Sequence, residues 1–123
     1  MPKTILVIED NSLNAQLLKD IFTVKGYKVR IAVNGEDGLE DVKKKRPDLI
    51  LMDIQLPGMS GYELTRILKN DEKTSDIPII AITAYALKGE RERAFREGCD
   101  EYMSKPINTR VMPVIVEQFI GTA

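Results

Sequence analysis

The chain has 123 residues, the size of one domain and enough to bury about two thirds of its unfolded surface around a single core. Its 43% apolar and 30% charged residues argue against disorder, and 18 basic against 19 acidic residues leave a net charge of -1, with no general field for nucleic acid or an anionic membrane. One cysteine and no histidine exclude an internal disulfide, four-cysteine zinc sites, and Ser-His or Cys-His catalysis.

In chain order, Met1-Pro2-Lys3 leads directly into Thr4-Ile5-Leu6-Val7-Ile8, a short β-branched run that reads as a strand. No leader-like apolar stretch precedes it. From Ser12 to Lys25, Leu13, Leu17, Leu18, Ile21 and Phe22 recur on one helical face, and Gly26 stands where a C-terminal cap is expected. Lys28 to Ala32 reads as a weaker strand, and Glu36 to Lys45 as a helix that Pro47 forbids from continuing. The run Lys43-Lys44-Lys45-Arg46 is read as the solvated end of that helix, where the dipole favours cations.

Leu49-Ile50-Leu51-Met52 is apolar at every position, as in a strand covered on both faces. A loop from Leu56 to Gly61 leads into a helix ending near Leu68. The polar stretch from Asn70 to Asp76 precedes a fourth strand, Ile77 to Ile82. A charged helix from Leu87 to Glu97, a brief strand around Tyr102 and a last helix from Asn108 to Ile120 complete the chain. Strict β/α alternation with short connections predicts an α/β fold, a doubly wound parallel sheet with helices on both faces. No apolar run approaches about 18 residues, so no membrane-spanning helix is expected. A reducing cytoplasm is the expected setting of the lone Cys99.

In open parallel sheets, ligands bind beyond the carboxyl ends of the strands. There the first strand delivers Glu9 and Asp10, the third Asp53, the fourth Thr83, and the fifth Lys105 followed by Pro106. Each has an ordinary structural explanation when taken singly. Asp10 or, better, Asn11 would cap the first helix. Thr83 would cap the next one, Tyr102 would be a half-buried aromatic on an edge strand, and Lys105 would be a surface lysine. Their arrival together at one rim is not explained by turn chemistry. Two carboxylates about 4 Å apart repel by roughly 4 kcal/mol at an effective dielectric near 20, so three require a cation. With only oxygen ligands, the natural choice is a hard divalent ion such as Mg2+. Three acids, the metal and Lys105 then make a near-neutral pocket suited to receiving a phosphoryl group.

The segments Val7-Ile8-Glu9-Asp10-Asn11, Leu49-Ile50-Leu51-Met52-Asp53-Ile54-Gln55-Leu56-Pro57, Ile82-Thr83-Ala84 and Tyr102-Met103-Ser104-Lys105-Pro106 together resemble the receiver domain of two-component response regulators. The resemblance runs from Ile5 to Phe119 and is strongest to small stand-alone regulators of the DivK and CheY kind. It implies a flavodoxin-like five-stranded sheet of order 2-1-3-4-5, with residues 1–123 forming a single receiver domain and no output domain. By resemblance, Asp53 is the phospho-acceptor and takes its phosphoryl group from a sensor histidine kinase or a histidine phosphotransfer protein. Mg2+ is held by Asp10 directly, Glu9 through water, Asp53, and the backbone carbonyl of Gln55. Thr83 and Lys105 contact the phosphoryl oxygens, and the Lys105-Pro106 bond is cis. The resemblance further implies a signalling domain, not a conventional enzyme, that assists its own loading and slow autodephosphorylation. Thr83 and Tyr102 would act as the switch, relaying the charge to a protein target on the face formed by the fourth helix, fifth strand and fifth helix. Neither nucleic acid nor membrane is an expected partner.

Pro113 departs from the pattern: either the last helix starts late with Pro113 in its first turn, or it is kinked. Cys99, after Gly98, is read as buried filler. A metal-dependent phosphatase with an aspartyl nucleophile would want an acid two residues after Asp53, where Gln55 stands. A flavodoxin-like cofactor binder would want a phosphate-cradling loop after the first strand, and Glu9-Asp10 repels phosphate. A receiver cut from a larger regulator or hybrid histidine kinase keeps the chemistry and is the alternative reading.

Overall fold

The computed structural model describes residues 2–84 and 87–123. Five strands, β1 (Thr4–Ile8), β2 (Lys28–Ala32), β3 (Leu49–Asp53), β4 (Ile79–Thr83) and β5 (Glu101–Ser104), pair in parallel in the order β2-β1-β3-β4-β5. The helices between and after them are α1 (Ser12–Val24), α2 (Gly35–Lys44), α3 (Gly61–Lys69), α4 (Glu90–Glu97) and α5 (Val111–Ile120). Both the fold class and the strand order match the expectation from sequence.

The two-residue period of the strands divides the interior into two cores. Leu6, Ile8, Ile50, Met52, Ile79 and Ala81 face α2, α3 and α4, meeting Val42, Leu64, Leu68 and Ala94. The alternate residues Ile5, Val7, Leu49, Leu51, Ile80 and Ile82 face α1 and α5, where Leu18, Phe22, Met112 and Val116 pack. Every residue of β1, β3 and β4 is buried, whereas β2 and β5 are edges with partly exposed positions. Burial of both faces explains why the central strands are apolar runs without alternation.

Local chemistry sets the helix starts. Asn11 accepts a hydrogen bond from Asn14 N–H, Asn34 from Asp37 N–H and Ser60 from Glu63 N–H, each as an N-cap. Asn11, not Asp10, therefore caps α1, and Gly26 follows its end at φ +95. Two boundaries differ from the sequence reading by two residues or more, and the late start of the last helix is one of the two geometries that reading allowed. Ile77 closes a turn onto Thr74 through its N–H, so β4 begins at Ile79 and runs on through Thr83. The segment expected to start a helix at Leu87 instead makes a turn closed by Glu90 N–H on the Leu87 carbonyl; Gly89, at φ +86, is the N-cap and α4 begins at Glu90. The expected start of that helix also adjoins positions 85 and 86, which lie outside the described residues. α5 starts late, at Val111, with Pro113 in its first turn and Asn108 Oδ1 accepting from Arg110 and Val111 N–H. Among the described residues, no helix is long and apolar enough to cross a membrane.

Candidate functional site

The strand order reverses at β1 and β3, and the carboxyl ends of these neighbours open into the crevice where such sheets bind ligands. Glu9 directly follows β1, held in line by its N–H on the Ala32 carbonyl, and Asp53 is the last residue of β3. Glu9 is 2% and Asp53 6% exposed, while Asp10 is exposed at the rim. One carboxylate oxygen from each of the three lies within 4.8 Å of the others. The sequence expectation that these acids converge is met.

Lys105 enters from the end of β5, after its N–H bonds the Thr83 carbonyl at 2.7 Å. The peptide bond to Pro106 is cis, as the resemblance implied. Its ammonium donates to Asp53 Oδ2 at 2.9 Å and to Glu9 Oε1 at 3.3 Å, and stands 3.1 Å from Glu9 Oε2. This lysine is therefore tied to two buried acids, not dispersed on the surface. The other Asp53 oxygen, Oδ1, accepts from Gln55 N–H at 2.9 Å. The backbone turn after Asp53 is close-packed: a Cβ on Gly61 would fall 2.8 Å from Ile54 Cα and 2.9 Å from the Asp53 carbonyl oxygen. A side chain there would have to push the end of β3 aside, so glycine is the residue that fits.

Burial, reinforced by the Asp53 carboxylate, pushes the Glu9 carboxyl above its ordinary range, and Lys105 only partly offsets this. Burial alone would pull the Lys105 ammonium down; its bonds to Asp53 and then Glu9 outweigh that, and the net shift is upward. Three carboxylates and one ammonium leave two formal negative charges in the cup. Glu9 Oε2 is buried and accepts no hydrogen bond among the described residues. An under-satisfied buried carboxylate oxygen, two excess negative charges and a donor set of oxygen alone fit a hard divalent cation.

Thr83 ends β4 at 1% exposure, beside Ser104 of β5. Because Gly89 is the N-cap of α4, Thr83 does not cap that helix. Tyr102 is half-buried in β5, with its ring against the core beneath α4 and its hydroxyl oxygen buried without a partner among the described residues. An open groove of about 580 Å³ borders it, lined by Arg91, Met103, Pro106, Val111 and Ile115 among others. Sequence reasoning missed two contacts around the site. Tyr62 Oη donates to Glu90 Oε1 at 2.5 Å across 28 positions of sequence, and Met59 N–H donates to Glu36 Oε1 at 2.8 Å. Neither has a sequence signal, because each joins segments more than 20 positions apart with no motif linking them.

A family model for the response regulator receiver domain matches residues 5–117, and the chain belongs to that family. It is a signalling domain of two-component systems. Over 123 residues, all of each chain, it is 44% identical to the polar-differentiation response regulator DivK of Brucella anthropi and 42% identical to that of Brucella ovis. Among solved structures it is similar to the receiver domain of a sensor histidine kinase from Pseudomonas aeruginosa PAO1, which has a magnesium ion coordinated in its active site cleft. That match has a TM-score of 0.90 and 34% identity over 99% of this chain and 100% of that one. A CheY-like receiver domain protein from Methanospirillum hungatei JF-1 matches at a TM-score of 0.88 and 29% identity, covering 96% of this chain and 93% of that one.

Proposed function

We propose that the chain is a single-domain response regulator of a phosphorelay that accepts a phosphoryl group on Asp53. The observation that carries this reading is the placement of the Asp53 carboxylate in a buried cup, 2.9 Å from the Lys105 ammonium and within 4.8 Å of the Glu9 and Asp10 oxygens. Likeness to DivK proteins over the whole of both chains supports the single-domain reading over a receiver that is part of a hybrid kinase. A cytoplasmic setting agrees with a lone, buried and unpaired cysteine.

Phosphoryl transfer demands alignment and charge neutralisation more than covalent work. An Asp53 oxygen attacks the phosphorus of a phosphohistidine supplied by a sensor histidine kinase or phosphotransfer protein. The P–O bond forms as the P–N bond breaks, and the electron pair leaves on the imidazole nitrogen of the donor. Glu9, Asp10, Asp53 and the Gln55 carbonyl would hold Mg2+, which supplies positive charge to the phosphoryl oxygens. Lys105 is poised to exchange a carboxylate partner for a phosphoryl oxygen, and the Thr83 hydroxyl to take another. Water attack on the aspartyl phosphate at the same site would reset the domain slowly.

The signal would leave through Thr83 and Tyr102, whose rearrangement alters the groove between α4, β5 and α5 that a downstream protein reads. Intact-mass measurement after treatment with acetyl phosphate and Mg2+ tests the reading. One added phosphoryl mass on the wild type and none on Asp53→Asn is expected; undiminished labelling of Asp53→Asn would contradict it.

A further inference from the structure

The hydrogen bonding around the start of α4 is incomplete in a specific way. Gly89 gives the helix no side-chain cap, and its surroundings are open: a Cβ there would meet nothing within 4 Å. The first turn is instead tied sideways. Glu90 accepts the Tyr62 hydroxyl of α3 at 2.5 Å, and the Arg93 guanidinium lies 4.5 Å from the Tyr62 ring centroid. Tyr62 is 3% exposed and follows Gly61, the residue pressed against the Asp53 carbonyl, so this tie starts from the backbone that carries the acceptor. Nearby, Tyr102 has its ring against the core and its hydroxyl buried with no partner among the described residues. Arg91, the residue after Glu90, donates to the Tyr102 carbonyl at 3.4 Å, so the first turn of α4 lies beside Tyr102; burial and the negative charge of Glu90 both hold the Tyr102 hydroxyl protonated, against Arg91. Thus the Glu90 carboxylate, on a turn that lies beside Tyr102, accepts the Tyr62 hydroxyl and, among the described residues, not that of Tyr102.

We propose that Glu90 is a third member of the switch, an acceptor for which Tyr62 and Tyr102 compete. While Tyr62 holds the carboxylate, the buried Tyr102 hydroxyl has no partner among the described residues, so the inward ring is held weakly. When the first turn of α4 swings on Gly89 and passes the carboxylate to Tyr102, the inward ring is stabilised and the output groove is reshaped. Glu90 acts through Tyr102 and is a positioning residue; it does not touch the phosphoryl group. The inference rests on the reading of Asp53 and Tyr102 above, and it supplies what that reading lacks, a partner for the inward hydroxyl.

Because a ligand that favours one state binds more tightly when that state is more populated, the two contacts predict effects of opposite sign on the full chain. Beryllofluoride with Mg2+ is the probe, read through the nuclear magnetic resonance signals of ¹³C-labelled tyrosine. Tyr62→Phe frees the carboxylate, so apparent affinity should tighten by roughly fivefold or more and the Tyr102 ring signal should move even without the probe. Glu90→Ala removes the acceptor and should weaken affinity, and Glu90→Gln, which keeps an acceptor oxygen, should recover part of the loss. In a Tyr102→Phe background neither Tyr62→Phe nor Glu90→Ala should change affinity. Shifts of the same sign for Tyr62→Phe and Glu90→Ala, no shift in either, or shifts that persist in Tyr102→Phe would overturn the proposal. If the wild type itself fails to bind beryllofluoride, the Asp53 reading falls and this inference with it; if the wild type binds and the variants do not diverge, only the role of Glu90 falls.

Discussion

Lys105 bridges Glu9 and Asp53, and at the residue scale that bridge decides how the cup tolerates its own charge. Its side chain is 16% exposed, and its ammonium contacts both carboxylates within 3.3 Å. Lys105→Ala leaves two buried acids facing each other. It should lower stability in the absence of metal by about 1.5–3 kcal/mol, the size of hydrogen bonds to charged groups. The sign of the pH dependence follows from the raised ammonium pKa: the contribution is fully present below the ordinary value of 10.5 and is lost only as pH rises beyond it. Denaturant titrations of wild type and variant at pH 8 and pH 11 should therefore show a smaller difference at the higher pH. Mg2+ should still raise the melting temperature of Lys105→Ala, since the oxygen ligands remain, while phosphorylation by acetyl phosphate slows. An unchanged phosphorylation rate would remove Lys105 from the site.

At this scale most of the cup was legible in the sequence, because each member stands at the end of a strand and parallel topology brings such ends to one rim. Asp53, Glu9, Asp10 and Lys105 needed only the strand assignments. Gln55 was legible as a break in a phosphatase pattern, but not its N–H bond to Asp53 Oδ1. The Tyr62–Glu90 and Glu36–Met59 contacts were illegible. They depend on side-chain directions between helices and loops, which no periodicity encodes.

At the element scale the central strands were the easiest to read, since burial on both faces makes them continuous apolar runs. Helix starts were harder, because they turn on single backbone conformations. Gly89 at φ +86 moved the start of α4 three positions beyond Leu87, and Pro113 left two geometries open for α5. The observed late start places Pro113 where its missing N–H is one that no residue within the helix would accept. Pro113→Ala should therefore be mildly destabilising, by no more than about 1 kcal/mol, through the freer unfolded chain. A kinked helix would give the opposite result, since removing a mid-helix proline relieves about 3 kcal/mol. Thermal unfolding of the variant decides between them.

At the scale of the whole molecule, Cys99 reports on global opening. It is 4% exposed between α4 and β5, with Thr65 Oγ1 3.8 Å from its sulfur, and burial pushes its thiol up to about 11 from an ordinary 9.0. Iodoacetamide at pH 8 should leave the folded protein unlabelled and modify it at the rate of unfolding, faster in urea. The raised thiol pKa also makes the unfolded chain release its proton first. Stability should then fall as pH rises from 9 through 11, and this part of the fall should vanish in Cys99→Ala. Ready labelling in native buffer would show that the core beneath α4 opens locally.

On the proposed reading, two-sided packing of one sheet delivers a single acyl-phosphate acceptor to its rim. Borohydride reduces an acyl phosphate to an alcohol at the carbon that bore it. Reducing the acetyl phosphate-treated protein and mapping its peptides by mass tests this claim most directly. One reduced position, residue 53, dependent on Mg2+, is expected. Reduction at Glu9, Asp10 or any other acid, or an attached phosphoryl group that resists borohydride, would contradict it.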